Sequence, residues 1–181
     1  VPAATFDSLV GVARAQFTVP LDDQVDLAVA GVGYPQDSNL YQASRAASYL
    51  YFAPRPVVRQ GGVIIVPAPA PEGVGAGIGE QRDLDVMRSA VDASAVLTDA
   101  RQNGYKPGAQ RAFVMAKVLE DCEVVIVGSA DASIVRDLKM VPAATMADAF
   151  AFARDRVGNR GRALIVPHAL HTLPIIEKSG C

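Results

Sequence analysis

The chain has 181 residues, of which half are hydrophobic and a fifth are charged, and its formal net charge is −2. This length suits one ordinary domain with its own core, and the composition excludes a disordered or fibrous protein. A nearly neutral chain without a basic stripe argues against a nucleic-acid partner. The longest strongly apolar runs, such as residues 62–67, are too short to cross a membrane, so we expect no membrane partner.

The cysteines and the first residues bear on where the protein works. Cys122 and Cys181 lie far apart, which is not the pattern of a disulfide framework. The first residues do not show a charged start followed by an apolar stretch, so the sequence predicts no signal peptide. We therefore expect a reducing, cytoplasmic environment, with Cys122 acting as a small buried hydrophobe. Because the sequence starts at Val1 and not at Met, we also expect a processed or trimmed piece.

The first predicted element is an amphipathic helix. Its apolar side chains recur at helical spacing, at Phe6, Leu9, Val10, Ala13 and Phe17. We assign residues 1–24 to this helix and a connector, and residues 25–181 to an α/β domain.

Short apolar runs then alternate with predicted helices. The predicted strands are 25–31, 63–66, 124–127 and 163–166, with a short fifth strand at 139–141. Most of these runs have no polar alternation, which is typical of strands covered on both faces. The pattern predicts an α/β fold of three layers: a mainly parallel sheet of four to five strands with helices on both faces.

The predicted helices also carry the acidic residues. After residue 79, one helix places Leu84, Met87 and Val91 on its apolar side, and a later helix aligns Phe150 with other apolar positions. Four acidic residues are interpreted as lying on the solvated sides of helices: Asp83, Asp85, Asp92 and Asp99. No pair of catalytic acids is indicated.

The loop of residues 31–39 is the first candidate site. Ligands of open parallel sheets bind beyond the carboxyl ends of the strands, and this loop leads from such an end into a helix. We expect Asp37 or Ser38 to cap that helix. One face of the helix carries Ser38, Gln42, Arg45 and Tyr49. Arg and Gln side chains at such an edge suit a carboxylate or a phosphate, and an ordinary solvated helix face is the alternative.

Two other segments are candidate sites. The glycine-rich loop 71–79 follows a strand, but its glycine spacing matches neither the dinucleotide fingerprint nor the P-loop, so we favour a lid or a mobile loop. His168 and His171 are three residues apart, and a metal site would need a third ligand that the neighbouring sequence does not offer. We expect no metal site in this chain.

A longer motif suggests a family. The stretch Gly33-Tyr-Pro-Gln-Asp-Ser-Asn-Leu-Tyr-Gln-Ala-Ser-Arg45 resembles the Gly-Tyr-Pro-x-Asp-x-Asn-x-Tyr-Gln-x-x-Lys motif of the lactate racemase family. Members of that family are racemases and epimerases that use a nickel-pincer nucleotide. Weaker similarity continues at residues 59–65, 72–75, 107–113 and 167–170, so the resemblance covers most of residues 25–175.

The resemblance implies the carboxy-terminal domain of a larger two-domain protein. Its partners would be the amino-terminal domain of the same protein and a small 2-hydroxy acid. The amino-terminal domain would hold most of the nickel-pincer nucleotide and the catalytic histidines, so no catalytic residue is expected in this chain and the chain alone should be inactive. The implied reaction inverts a 2-hydroxy acid by removing and returning hydride on the cofactor, while this domain closes over the substrate.

The resemblance also implies site residues. It places Gln42 and Arg45 at the substrate or cofactor. Further contacts are expected from Tyr34, Asp37, Asn39 and Tyr41, and from the loop residues Glu72, Gly73 and Gly75. Arg45 stands where the family motif has Lys, which keeps the positive charge in a larger, planar group. The substrate could therefore be a different or larger 2-hydroxy acid, or a sugar acid, instead of lactate.

Two alternatives stay open at this point. The chain could be a non-catalytic α/β module that binds an anionic metabolite or nucleotide at the same sheet edge. It could also be a structural or dimerising domain, which an exposed apolar patch on the first helix would favour. The oligomeric state is not predicted.

Overall fold

A computed structural model of the chain describes residues 2–177. The first half of the chain contains α1 (Pro2–Phe17), β1 (Thr18–Leu21), β2 (Val25–Ala30), a 3₁₀ turn (Gln36–Ser38), α2 (Leu40–Ala43), α3 (Arg45–Tyr51) and β3 (Val58–Pro67). The second half contains α4 (Ile78–Ser89), α5 (Ala93–Asn103), α6 (Gln110–Asp121), β4 (Glu123–Val127), α7 (Ala132–Asp137), β5 (Val141–Ala143), α8 (Met146–Val157), β6 (Ala163–Val166) and β7 (Leu173–Ile176).

Five parallel strands form the central sheet, in the order β5-β4-β3-β2-β6. The central strand β3 begins at Val58, earlier than predicted, and its segment Val63–Val66 is fully buried. The fifth strand lies at Val141–Ala143, two residues later than expected at its start. Helices lie on both faces of this sheet, so the predicted three-layer α/β fold is confirmed.

The two faces of the sheet are covered unequally. Alternate residues of a strand point to opposite faces. Ile64 and Ile126 therefore belong to the large core under α2, α3, α4 and α6, whereas Val63 and Val125 belong to a smaller core. Helix α8 covers that smaller core, with Ala149 among its buried residues.

The region after α4 differs from the prediction. The sequence indicated one helix there, but α4 ends at Ser89 and a separate helix, α5, follows. The Asp92 side chain caps α5 by accepting from the Ala95 N–H at 2.8 Å. Val91 therefore lies in the connecting turn and is 88 % exposed, so its assignment to the apolar face was wrong. Phe150 of α8 also points to solvent.

The segment after α1 is a strand. Residues 18–21, assigned to a connector, form β1, which pairs in parallel with β7 from Thr18 opposite Leu173 to Leu21 opposite Ile176. This pairing joins the two ends of the described chain. The division at residue 25 remains a prediction.

Helix α1 forms as predicted, but little of the chain covers it. Phe6, Leu9 and Phe17 of its apolar face are exposed. Within residues 2–177, no helix has the length and apolarity needed to cross a membrane.

Candidate functional site

The loops after β2 and β3 lie together at the carboxyl edge of the sheet. Because β2 and β3 are neighbours, these loops leave the sheet side by side. The Leu40 N–H donates to the Gly73 carbonyl at 2.8 Å, and the Glu72 N–H donates to the Ser38 carbonyl at 2.9 Å. The start of the glycine-rich loop is therefore bonded to the motif loop along its backbone, which is not the arrangement of a free lid.

Side chains add to this junction. The Glu72 carboxylate accepts from the Ser38 hydroxyl at 3.3 Å and from the Asn39 amide at 3.4 Å. The Asn39 side chain also caps α2, since its Oδ1 accepts from the Gln42 N–H at 2.9 Å. The predicted caps, Asp37 and Ser38, were wrong because residues 36–38 form a 3₁₀ turn and the α-helix begins after them.

Arg45 occupies the centre of the candidate site. Its Nη1 donates to the Gln42 Oε1 at 3.0 Å, and its Nη2 donates to the Tyr49 hydroxyl at 2.7 Å. The guanidinium carbon lies 5.5 Å from the centre of the Tyr49 ring. These three residues share the predicted helix face. Ser38, the fourth predicted member, is instead bonded to Glu72.

Arg45 has no acidic ion-pair partner among residues 2–177. A guanidinium has more N–H groups than its two bonds to Gln42 and Tyr49 use. Arg45 is therefore held in place by neutral partners and keeps donors for an external anion.

The two motif tyrosines have different surroundings. Tyr34 is exposed and precedes a cis peptide bond to Pro35. Tyr41 is partly buried and packs against the large core. The backbone of Asp37 bonds to both loops, because its N–H donates to the Gly33 carbonyl and its carbonyl accepts from the Ala70 N–H.

A buried arginine lies behind Arg45. Arg111 of α6 donates from Nη1 to the Ser48 hydroxyl and from Nη2 to the Ser44 hydroxyl, both at 3.0 Å. The Ser48 hydroxyl in turn donates to the Arg45 carbonyl at 2.9 Å. Arg111 therefore stabilises the helical turn that carries Arg45. Sequence reasoning missed Arg111, because its burial depends on how α6 packs against α3.

Asp83 is buried, so its assignment to a solvated helix side was wrong. Burial raises the pKa of the Asp83 carboxyl to about 7, although the nearby Arg111 charge opposes the rise. Burial also lowers the pKa of Arg111 to about 10, against the attraction of Asp83. Within residues 2–177, the Asp83 Oδ1 and the Arg111 Nε have no hydrogen-bond partner. The two buried charges come near each other because α4 packs against α6.

An open cleft of about 760 Å³ adjoins Arg45. We call it the Arg45 cleft. Its walls come from α1, α3, α6 and the segment 170–173. Aromatic and aliphatic side chains make up much of its lining, together with Arg14, Arg45, Arg111 and His171.

The remaining candidate groups are possible metal ligands and Cys122. Among residues 2–177, no three His, Cys, Asp or Glu side chains are grouped in a way that could hold a metal ion. Cys122 is buried as predicted, and its thiol donates to the Arg59 carbonyl at 3.7 Å. Burial raises the pKa of this thiol to about 12, which is unsuited to a nucleophile.

Comparisons with known proteins converge on one family. The sequence matches the family described as "Lactate racemase C-terminal domain" over residues 22–173. The lactate racemase apoprotein of Thermoanaerobacterium thermosaccharolyticum has a similar structure, with a TM-score of 0.77 and 22 % identity over 91 % of this chain and 39 % of that protein. A protein from Thermotoga maritima is also similar, with a TM-score of 0.62 and 12 % identity over 97 % of this chain and 42 % of that protein.

Both solved proteins are longer than the chain. The chain spans about two fifths of the length of the solved structures that it matches. At these identities the two structures show a common fold. No curated protein sequence matches the chain.

Proposed function

Because the chain belongs to the lactate racemase C-terminal domain family, we propose that it is the substrate-closing domain of a racemase or epimerase that acts on 2-hydroxy acids. The observation that supports this function is the state of Arg45. It lies at the carboxyl edge of the sheet, is oriented by Gln42 and Tyr49, and has no acidic partner among residues 2–177. In this proposal, the anion that Arg45 binds is the carboxylate of the substrate.

In this proposal Arg45 and Gln42 bind the carboxylate together. A guanidinium can grip a carboxylate with two parallel N–H bonds. Gln42 uses its carbonyl oxygen to accept from Arg45, which leaves its NH₂ group free to donate to the same carboxylate. Hydrogen bonds to charged groups contribute about 1.5–3 kcal/mol each, so losing Arg45 should be costly.

The other motif residues would shape this edge of the sheet. Asn39 caps the helix that carries Gln42, and Glu72 joins the two loops. We propose that exposed Tyr34, together with Asp37, Tyr41 and the backbone of Gly73 and Gly75, faces the substrate, the cofactor or the amino-terminal domain. Each of these residues lies in or beside the two joined loops.

The nickel-pincer nucleotide implied by the family is proposed to bind mainly outside this chain, in an amino-terminal domain. The donor set of residues 2–177 does not fit the metal, because it offers no group of three metal-binding side chains. No step through the cofactor is therefore derived for this chain. Its own residues bind and orient the substrate carboxylate, and the protein is proposed to work in the cytoplasm.

The test compares variants of the full-length protein in a racemisation assay. Arg45→Met keeps the length of the side chain without its charge and should lower kcat/KM at least tenfold, which is about 1.4 kcal/mol. Arg45→Lys restores a cation and should recover part of the loss. The matched control is Arg154→Met, an exposed arginine on α8 across the sheet. Unchanged racemisation by Arg45→Met would overturn the proposed role.

A second candidate function is association through α1. The exposed apolar face that includes Phe6 and Leu9 favours it. Sedimentation velocity of the full-length protein would then show an oligomer that Leu9→Glu disperses. A monomer in both cases would reject this candidate.

A further inference from the structure

We propose that the substrate is a 2-hydroxy acid with an aromatic side chain, and that its ring occupies the Arg45 cleft. This inference rests on the proposed function, because it takes Arg45 as the carboxylate anchor. It narrows the substrate class from any 2-hydroxy acid to one with a large, flat, apolar substituent.

The size of the cleft is the first argument. Its volume of about 760 Å³ falls within the range of roughly 300–1,000 Å³ that is common for small-molecule sites. Arg45 is part of its wall, so a carboxylate bound there would have its remaining atoms directly beside the cleft. The methyl group of lactate would leave most of this space to water.

The walls of the cleft are the second argument. Three aromatic rings in its lining remain well exposed: Phe17 by 46 %, Tyr49 by 39 % and Phe52 by 55 %. Leu170 and Leu173 add aliphatic surface. Exposed apolar surface gathered in one concave place usually marks a binding site. Aromatic rings pair favourably with other rings in stacked or edge-to-face geometry.

The charges of the cleft select an anion. Arg14, Arg45, Arg111 and His171 line it, and the lining contains no Asp or Glu among the described residues. Arg111 is buried and its two Nη groups are bonded to serines, so Arg45 is the arginine of the α3 wall that can meet a ligand. This arrangement is complementary to one carboxylate followed by an apolar body.

The polar groups of the lining argue against a sugar acid. The Ser48 hydroxyl already accepts from Arg111 and donates to the Arg45 carbonyl. The Thr172 hydroxyl already donates to the His168 carbonyl at 2.9 Å. These two hydroxyl groups are therefore already bonded within the chain and offer little to a substrate with several hydroxyl groups, whereas an aromatic ring needs no such partner.

The experiment measures binding to the full-length protein by titration calorimetry, with lactate and 3-phenyllactate as probes. Phenyllactate should bind at least tenfold more tightly than lactate. Phe52→Ala should remove most of this preference, by weakening the binding of phenyllactate much more than the binding of lactate. Phe150→Ala is the matched control, since Phe150 is 44 % exposed on α8 across the sheet and should have no effect. Phe52→Leu keeps apolar surface without the ring, so its preference for phenyllactate should lie between that of the wild-type protein and that of Phe52→Ala.

The outcomes separate this inference from the function on which it rests. Equal binding of the two acids, no binding of phenyllactate, or a preference that survives Phe52→Ala would each overturn the aromatic substrate. If Arg45→Met then still weakens the binding of lactate, the carboxylate site stands without it. If Arg45→Met changes the binding of neither acid, the proposed function fails as well.

Discussion

Helices α1 and α3 both have apolar residues at helical spacing, but their surroundings are opposite. In α3, Ala46, Ala47 and Leu50 are fully buried between β3 and α6. In α1, Leu9 is 62 % exposed and Phe6 is similarly open, because α1 packs chiefly against β1. Apolar periodicity therefore predicts that a helix forms and which side is apolar, but not what covers that side.

The difference separates stability from binding. The layer formed by α3, α4 and α6 buries both its apolar side chains and the Asp83–Arg111 pair, so changes there should alter folding. Helix α1 lines the Arg45 cleft and is otherwise exposed, so changes there should alter binding and leave folding intact. Matched substitutions in the two regions test this division.

The largest contrast is expected for a pair of leucines. Leu50→Ala removes a fully buried side chain and leaves a cavity, which should lower the free energy of unfolding by about 2–5 kcal/mol. Leu9→Ala on α1 should cost less than about 0.5 kcal/mol. Denaturant unfolding of both variants measures the difference, and equal losses would show that α1 packs as firmly as α3.

A second contrast concerns pH. Because folding raises the pKa of Asp83 to about 7, the folded state binds this proton more tightly than the unfolded state. The free energy of unfolding should therefore fall as pH rises from about 4 to 7, by no more than about 4 kcal/mol. Asp83→Asn should remove most of this fall, whereas Asp7→Asn on α1 should leave it in place. A fall that persists in Asp83→Asn would assign it to other groups.

The smallest contrast is expected for two serines. Ser48→Ala leaves a buried N–H of Arg111 without its acceptor and should cost about 1–3 kcal/mol. Ser8→Ala lies on exposed α1 and should be neutral within about 0.5 kcal/mol. Thermal unfolding of the two variants measures both effects. A neutral Ser48→Ala would mean that Arg111 does not depend on this bond.

Much of the fold could be predicted because its strands are short, continuous apolar runs. Residues 163–166 form β6 as expected, and the β2, β3 and β4 runs pair in one sheet. The pairing of β1 with β7 could not be seen, since it joins four-residue segments at opposite ends of the described chain. Helix α5 was missed because it buries only two side chains, Val96 and Leu97, and follows α4 after a turn of three residues.

The candidate site, like the fold, could be predicted from the sequence only in part. The contacts of Arg45 with Gln42 and Tyr49 follow from helical spacing alone, so the sequence predicted their common face. The burial of Asp83 and Arg111 depends on how α4 and α6 pack together and against the rest of the domain. No local sequence pattern carries that information. Asp83 was therefore assigned to a solvated helix side, and Arg111 was not predicted as part of the site.

The central claim is that Arg45 binds the carboxylate of a 2-hydroxy acid. The most direct test measures the binding of such an acid and of its neutral amide to the full-length protein and to Arg45→Met. The wild-type protein should prefer the acid at least tenfold, and Arg45→Met should bind the acid and the amide about equally. A preference for the acid that is the same in Arg45→Met would contradict the account.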